Sequence, residues 1–96
     1  WGEPGYSVLE RLWARPTLDF NGIWGGFQGE GIKTVTPAEA HVKVTCRLVP
    51  DQDPGQVLDL IERHVERFCP PGATASVRRF PGAARPFTIR RDHPAL

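Results

Sequence analysis

Apolar and polar residues alternate with unusual regularity over residues 39–49. The apolar positions are Ala40, Val42, Val44, Cys46 and Leu48. The polar positions between them are His41, Lys43, Thr45 and Arg47. Successive side chains of a β-strand point to opposite faces of the sheet, so this alternation predicts a strand with one buried face. The strand is expected to end before Pro50.

Two shorter elements are predicted before this strand. Ser7 and Glu10 have the spacing of a capping box, which begins a helix by satisfying two free backbone amides. The helical turn is expected to end at Pro16, because the residue before a proline is disfavoured in the helical conformation. Residues 17–24 then predict a strand, and a glycine-rich loop follows over residues 25–33. The side chains expected to face inward from this first strand are Leu18, Phe20 and Trp24.

A longer helix is predicted after Pro50. Asp53 supplies an N-cap, and Pro54 fits the first helical position. The residues spaced by three and four along one side are Val57, Leu60, Ile61, His64, Val65 and Phe68. This spacing is that of an amphipathic helix, and Pro70 ends it. Residues 73–80 alternate again and predict a third strand, residues 87–89 a short fourth, and residues 92–96 the start of another helix.

The order strand, strand, helix, strand predicts an α+β fold, an antiparallel sheet with a helix packed on one face. The helix side of the expected core is Leu60, Ile61, Val65 and Phe68. The facing sheet residues are Val42, Val44, Cys46 and Leu48. Cys46 and Cys69 are interpreted as small buried hydrophobes rather than a disulfide or metal pair, and no CxxC is present, which favours a reducing, cytoplasmic compartment.

Length and charge restrict the possible functions. The chain has 96 residues, enough for a single domain, and its formal net charge of +1 argues against a nucleic-acid partner. No apolar run is long enough to cross a membrane. The three histidines lack the spacing of a metal site, the glycines do not form GxGxxG, and the serines lack a GxSxG setting. The segment therefore offers no catalytic group of its own.

Arg47 is the residue with the clearest binding chemistry. An arginine on a rigid strand can hold a carboxylate through two parallel hydrogen bonds, and Thr34 in the preceding loop could add a hydroxyl. Chemistry alone, however, favours an ordinary surface arginine at this position.

The run from Arg15 to Pro54 contains NGIWGG, KTV-x-P and RLVP-x-Q-x-P in series. Together these motifs closely resemble the lid, or dimerisation, domain of the di-zinc dipeptidases, the family of carnosinase, carboxypeptidase G, acetylornithine deacetylase and the aminoacylases. The resemblance is strongest to the dipeptidase-like branch and extends from about Glu3 to Leu96. Thr36 departs from the pattern, where isoleucine is expected.

The resemblance implies a ferredoxin-like lid that is truncated at its N-terminal strand and helix. Residues 1–96 would form a single partial lid: 1–15 a lead-in, 16–82 the sheet and helix, and 83–96 the exit toward an absent catalytic domain. Thr34 and Arg47 match lid residues that contact substrate in the dipeptidase branch. The whole enzyme would use two zinc ions to cleave peptide or amide bonds. This segment holds no metal ligands and is expected to be inactive alone.

The resemblance also implies partners. These are a second copy of the lid in a homodimer, the catalytic domain of the same enzyme and a small peptide substrate. In the family lid the first strand lies between the last and the third, so its absence would leave unpaired strand edges. Association is then expected through the edge strand with Asn21 and Ile23, or through residues 87–91. The alternative interpretation is a stand-alone small α+β binding or protein-interaction module without catalysis.

Overall fold

The computed structural model describes residues 1–95, and this part of the chain contains two helices and two strands. In chain order they are α1 (Val8–Trp13), β1 (Thr17–Gly25), β2 (Ala40–Arg47) and α2 (Pro54–Phe68). They belong to two compact units, Trp1–Arg47 with α1 and the two strands, and a second that begins at Leu48 and contains α2. The protein is therefore a small α+β chain, as its sequence predicts.

The capping box at α1 is confirmed. The backbone N–H of Glu10 donates to the Ser7 hydroxyl over 3.2 Å, and the backbone N–H of Ser7 donates to the Glu10 carboxylate over 2.7 Å. A helix of six residues is marginal by itself, so these two bonds offset part of the cost of starting it. The helix ends at Trp13, and the N–H of Ala14 closes its last turn on the Glu10 carbonyl.

β1 and β2 form an antiparallel two-stranded sheet whose register shifts at a bulge. Phe20 lies opposite Val44, but Gly22 lies opposite Lys43, which leaves Asn21 as the extra residue. An extra residue moves every later side chain of its strand to the other face. The bulge therefore decides which residues of β1 share the polar face of β2.

Trp24 is the residue most affected by the bulge. It lies opposite His41 on the polar face, whereas Ile23 lies opposite Val42 on the apolar face. The prediction that Trp24 faces inward with Leu18 and Phe20 is therefore wrong. Alternation does not continue through Asn21, because the chain inserts one residue there and the following side chains change faces.

α2 begins and ends where the sequence predicts. The Asp53 carboxylate accepts a hydrogen bond from the backbone N–H of Gln56 over 3.2 Å, and Pro54 occupies the first turn. The helix ends at Phe68, where the Cys69 N–H bonds the Glu66 carbonyl and Pro70 follows. These contacts satisfy backbone groups that every helix end leaves free.

Replacing the cap of α2 should destabilise the second unit. Asp53→Ala removes the acceptor for Gln56 N–H and should lower the free energy of unfolding by about 1 kcal/mol, measured by urea unfolding followed by circular dichroism. Asp53→Asn is the matched control, because it keeps a capping oxygen while losing the ion pair with Arg85. Equal destabilisation by both variants would contradict the capping role and would point to the ion pair.

Neither of the later strands predicted from the sequence is present in residues 1–95, where β1 and β2 are the only paired strands. Alternation directs side chains to two faces, but a strand also needs a neighbouring backbone to bond, and residues 73–80 have none. Side chains tie this segment to α2 instead. Arg79 donates to Asp59 over 2.6 Å and to Glu62 over 2.7 Å. Residues 91–92 and 94–95 form turns, and the last residue of the predicted helix start, Leu96, lies outside the described residues.

The expected buried core is not observed. No side chain of residues 1–95 is fully buried, and Phe68, predicted to belong to the core, is 63% exposed. Ile61 and Val65 are half-buried. A sheet of two strands has too little surface to enclose large side chains. β1 and β2 alone therefore cannot form a buried core. The packing of α2 against the apolar face of β2 stays a prediction.

The Arg79 contacts should make the second unit sensitive to acid. The hydrogen bond from Arg79 lowers the pKa of Glu62 below its ordinary value of 4.5. A carboxylate with a lower pKa in the folded chain stabilises the fold above the unfolded value, and this contribution is lost as pH falls through the folded value. The urea midpoint should therefore fall as the pH is lowered from above 4.5 through the depressed pKa. Arg79→Gln should flatten this dependence, whereas the same change at exposed Arg91 should leave it intact. If Arg79→Gln left the pH dependence of the urea midpoint unchanged, that dependence would come from other carboxylates.

Candidate ligand-binding site

The polar face of the hairpin carries a cluster of rings and a cation. The rings of Trp24 and His41 stack with centroids 4.9 Å apart and planes 9° from parallel. The Lys43 ammonium lies 5.5 Å from the centre of the Trp24 ring. Gly22 lies opposite Lys43, and a Cβ at this position would be in ordinary contact with Lys43 at 3.7 Å and with Trp24 at 3.8 Å. The cluster is a direct consequence of the bulge.

An open groove of about 580 Å³ lies beside this cluster, between the end of the hairpin and the loop that joins its strands. Two glycines allow the loop to leave β1 sharply: Gly26 has a φ of 70°, and a Cβ on Gly25 would lie 3.0 Å from the Glu39 carbonyl oxygen. The lining residues are Trp24, Gly25, Gly26, Phe27, Gln28, Lys33, Val35, Thr36, Pro37, Ala38, Glu39 and His41.

Charged groups of the loop are arranged around the rings. The Lys33 ammonium lies 4.8 Å from the centre of the Phe27 ring, a cation–π distance. Glu39 Oε2 lies 3.3 Å from His41 Nε2, within hydrogen-bond distance. The groove therefore combines aromatic surface with the Lys33 ammonium and the Glu39 carboxylate, which contacts His41. Lys43 is not among the lining residues, although its ammonium group lies over the Trp24 ring.

Arg47 is the last residue of β2 and lies opposite Thr17. Its side chain is exposed, and it forms no ion pair with any residue between 1 and 95. An exposed guanidinium on a paired strand can donate two parallel hydrogen bonds to a carboxylate from outside the chain.

Thr34 lies in the loop between Lys33 and Val35, which both line the groove with His41. His41 and Arg47 are six residues apart on one strand, or about 20 Å at the rise of a β-strand. An extended dipeptide spans only about 7 Å. The structure therefore places Thr34 and Arg47 toward opposite ends of β2 and does not bring them into one site within a single chain.

Asn21 and Ile23 both lie on β1, whose outer edge has no partner strand in the described part of the chain. Asn21 is the bulged residue, and the Ile23 side chain is 74% exposed on the apolar face. Their predicted role in dimer contact stays a prediction. The sequence signal for the bulge is the glycine that follows Asn21, since a glycine inside a strand often marks one.

Residues 1–95 contain no cluster of histidine, cysteine, aspartate or glutamate suited to hold a metal ion. Cys46 and Cys69 are free and half-buried, and burial, together with nearby Asp19, raises the pKa of the Cys46 thiol. Within the same residues, no helix has the length and apolar character needed to cross a membrane.

Comparison with known proteins assigns this chain, with its capped helix, bulged hairpin and exposed arginine, to a family. Residues 3–73 match the peptidase dimerisation domain, so the chain belongs to that family. The family resemblance found in the sequence is thereby confirmed.

Individual relatives agree with this assignment. The chain is 36% identical over 60 residues to the Cys-Gly metallodipeptidase of Saccharomyces cerevisiae, covering 62% of this chain and 12% of that protein. It is 39% identical over 60 residues to the human Beta-Ala-His dipeptidase, with the same coverage of 62% and 12%. Among solved structures, an M20 family metallo-carboxypeptidase from Sulfolobus solfataricus matches with a TM-score of 0.57 and 35% identity, over 70% of this chain and 16% of that one. The chain thus spans about an eighth of the length of these curated relatives.

Proposed function

We propose that this chain is the substrate-binding and dimerisation lid of a zinc-dependent dipeptidase or related amidohydrolase that cleaves peptide or amide bonds. The observation that supports this most is the match of residues 3–73 to the peptidase dimerisation domain, together with relatives that are metallodipeptidases. The catalytic domain of the same polypeptide and a second copy of the lid would be its partners.

The metal chemistry of such an enzyme does not fit the residues of this chain. No group of potential ligands is present among residues 1–95, so two zinc ions would have to be held by another part of the protein. The contribution of the lid is then confined to binding. It would recognise the substrate, orient it and join two copies of the enzyme.

Arg47 would recognise the substrate carboxylate. Its exposed guanidinium can donate two parallel hydrogen bonds to a carboxylate, and its position at the end of a paired strand limits its motion. Thr34 would add a hydroxyl contact from the loop.

The distance along β2 supports an arrangement in which Arg47 and Thr34 of one chain contact different substrate molecules. Because about 20 Å separates the ends of the strand, one dipeptide cannot reach both Arg47 and the loop of Thr34 in the same chain. In a symmetric dimer, each lid would then contact two substrate molecules, one through Arg47 and the other through Thr34. This arrangement would make dimerisation a requirement for a complete binding site.

Hydrolysis of the dipeptide Cys-Gly tests the proposal. The full-length polypeptide that contains this chain should cleave it, lose activity with a chelator and regain it when zinc is added back. The isolated segment of residues 1–96 is the control and should be inactive. Hydrolysis that persists in the full-length protein after complete metal removal would refute the proposal, and so would chelator-sensitive hydrolysis by the isolated segment.

The second candidate function is a small α+β binding or interaction module without catalysis, and the aromatic groove beside Trp24 favours it. The reading frame on either side of residues 1–96 separates the two candidates. An HxD motif and an adjacent Glu-Glu pair outside this segment are expected if the chain is an enzyme lid. Their absence from the complete protein would favour the binding module. A cytoplasmic location is proposed in either case.

A further inference from the structure

Asp19 of β1 lies on the same face of the hairpin as Arg47 of β2. Thr17 is opposite Arg47 in the register, and Asp19 follows Thr17 by two residues, which returns its side chain to that face. The Thr17 hydroxyl lies 3.5 Å from Asp19 Oδ2, so these two side chains point the same way. Asp19 itself is opposite Thr45. Its carboxylate is therefore a diagonal neighbour of the guanidinium that is proposed to hold the substrate carboxylate.

The opposite charges of Asp19 and Arg47 do not neutralise each other. Both residues are exposed, and neither forms an ion pair with any residue between 1 and 95. Diagonal positions of an antiparallel pair are about 7–8 Å apart. Lys43 is the other cation diagonal to Asp19, and its ammonium lies over the Trp24 ring, 5.5 Å from the ring centre. This end of the hairpin therefore presents one cation and one anion, both available to a ligand that carries both charges.

The covalent structure of a dipeptide decides which of its groups can reach Asp19. When the C-terminal carboxylate pairs with Arg47, the side chain of the same C-terminal residue branches from the adjacent carbon and stays beside the hairpin. The free α-ammonium lies beyond the scissile bond. That bond must face metal ions held by another part of the protein, because residues 1–95 contain no group suited to bind them. The C-terminal side chain is therefore the substrate group nearest to Asp19.

We propose that Asp19 determines specificity for dipeptides with a basic C-terminal residue: its carboxylate pairs with the side-chain cation while Arg47 holds the C-terminal carboxylate. This role rests on the proposed peptidase function and narrows its substrate class. An extended dipeptide spans about 7 Å, which is comparable to the separation of diagonal positions on the hairpin. An acidic C-terminal side chain would meet a like charge and be disfavoured.

Three dipeptides, Ala-Lys, Ala-Gln and Ala-Glu, test the preference in the metal-loaded full-length polypeptide. They share the N-terminal residue and the free carboxylate and differ in the charge of the C-terminal side chain. At low ionic strength, kcat/KM for Ala-Lys should exceed that for Ala-Gln by about tenfold, and Ala-Glu should be the poorest of the three. Hydrolysis of all three without a preference for Ala-Lys would refute the role of Asp19 alone. Hydrolysis of none of them would refute the proposed function and this role with it.

Variants separate a substrate contact from a structural role. Asp19→Asn keeps the shape of the side chain and removes its charge, so the ratio of kcat/KM for Ala-Lys to that for Ala-Gln should fall to about twofold or less. Asp19→Lys should reverse the order and favour Ala-Glu over Ala-Lys. Glu66→Gln removes an exposed carboxylate from α2 and should leave the ratio unchanged. A ratio that Asp19→Asn does not alter, even where all three dipeptides are cleaved more slowly, would make Asp19 structural and overturn the proposal.

Discussion

Replacing Arg47 with alanine in the full-length protein should lower kcat/KM for dipeptides with a free C-terminal carboxylate by about 30- to 1,000-fold, or roughly 2–4 kcal/mol. The side chain is exposed at the end of β2 and has no ion-pair partner in residues 1–95, so it is free to bind a substrate carboxylate. The loss is large because a charge-assisted pair shielded from water in the complex would be left with one member.

Substrate chemistry and a conservative variant separate this role from a structural one. Dipeptides with an amidated C-terminus lack the carboxylate and should be affected much less by Arg47→Ala. Arg47→Lys should restore only part of the activity, since lysine cannot form the planar two-bond contact. If the free and amidated dipeptides lost activity to the same extent, Arg47 would be structural rather than a substrate contact.

Ile23→Asp should weaken dimerisation by about 100-fold in dissociation constant, or roughly 2.7 kcal/mol. Ile23 is 74% exposed on β1, beside the strand edge that lacks a partner in the described chain. Burying an aspartate between two copies would require removing water from a charge without a compensating contact. Analytical ultracentrifugation of the full-length protein over a range of concentrations measures this change.

Ile32→Asp is the matched control for this experiment. It makes the same chemical change at a loop residue that is 99% exposed, where it should leave the dissociation constant almost unchanged. Asn21→Asp tests the neighbouring bulge position and should weaken the dimer less than Ile23→Asp, because it alters charge but removes no apolar surface. A dimer that tolerates Ile23→Asp as well as it tolerates Ile32→Asp would exclude this edge of β1 from the interface.

Both helices were predictable because their boundaries depend on contacts between residues close in sequence. Ser7 and Glu10 satisfy each other's backbone amides, and Asp53 caps α2 across three residues. Proline then prevents continuation at Pro16 and Pro70, whatever surrounds the helix. No distant part of the chain has to be known to place these elements.

The ligand-binding surface was less predictable, and Trp24 shows why. Alternation along β1 assigns this residue to the apolar face, but the bulge at Asn21 turns it toward His41 and Lys43. A single inserted residue reverses every later assignment in a strand, and glycine after Asn21 is only a weak signal for it. Arg47 and Thr34 could be named from motifs, whereas their placement toward opposite ends of β2 required the register.

The sequence by itself determined the α+β class, the two helices, the hairpin strands and membership of the peptidase dimerisation family. Each of these depends on local hydrogen bonds, side-chain periodicity or a linear motif. The tertiary structure alone decided the bulge, the ring cluster on the polar face and the absence of a strand at residues 73–80. The physical reason is that alternation sets where side chains point, while pairing and burial depend on which backbone lies alongside, and that neighbour is not encoded in the segment itself.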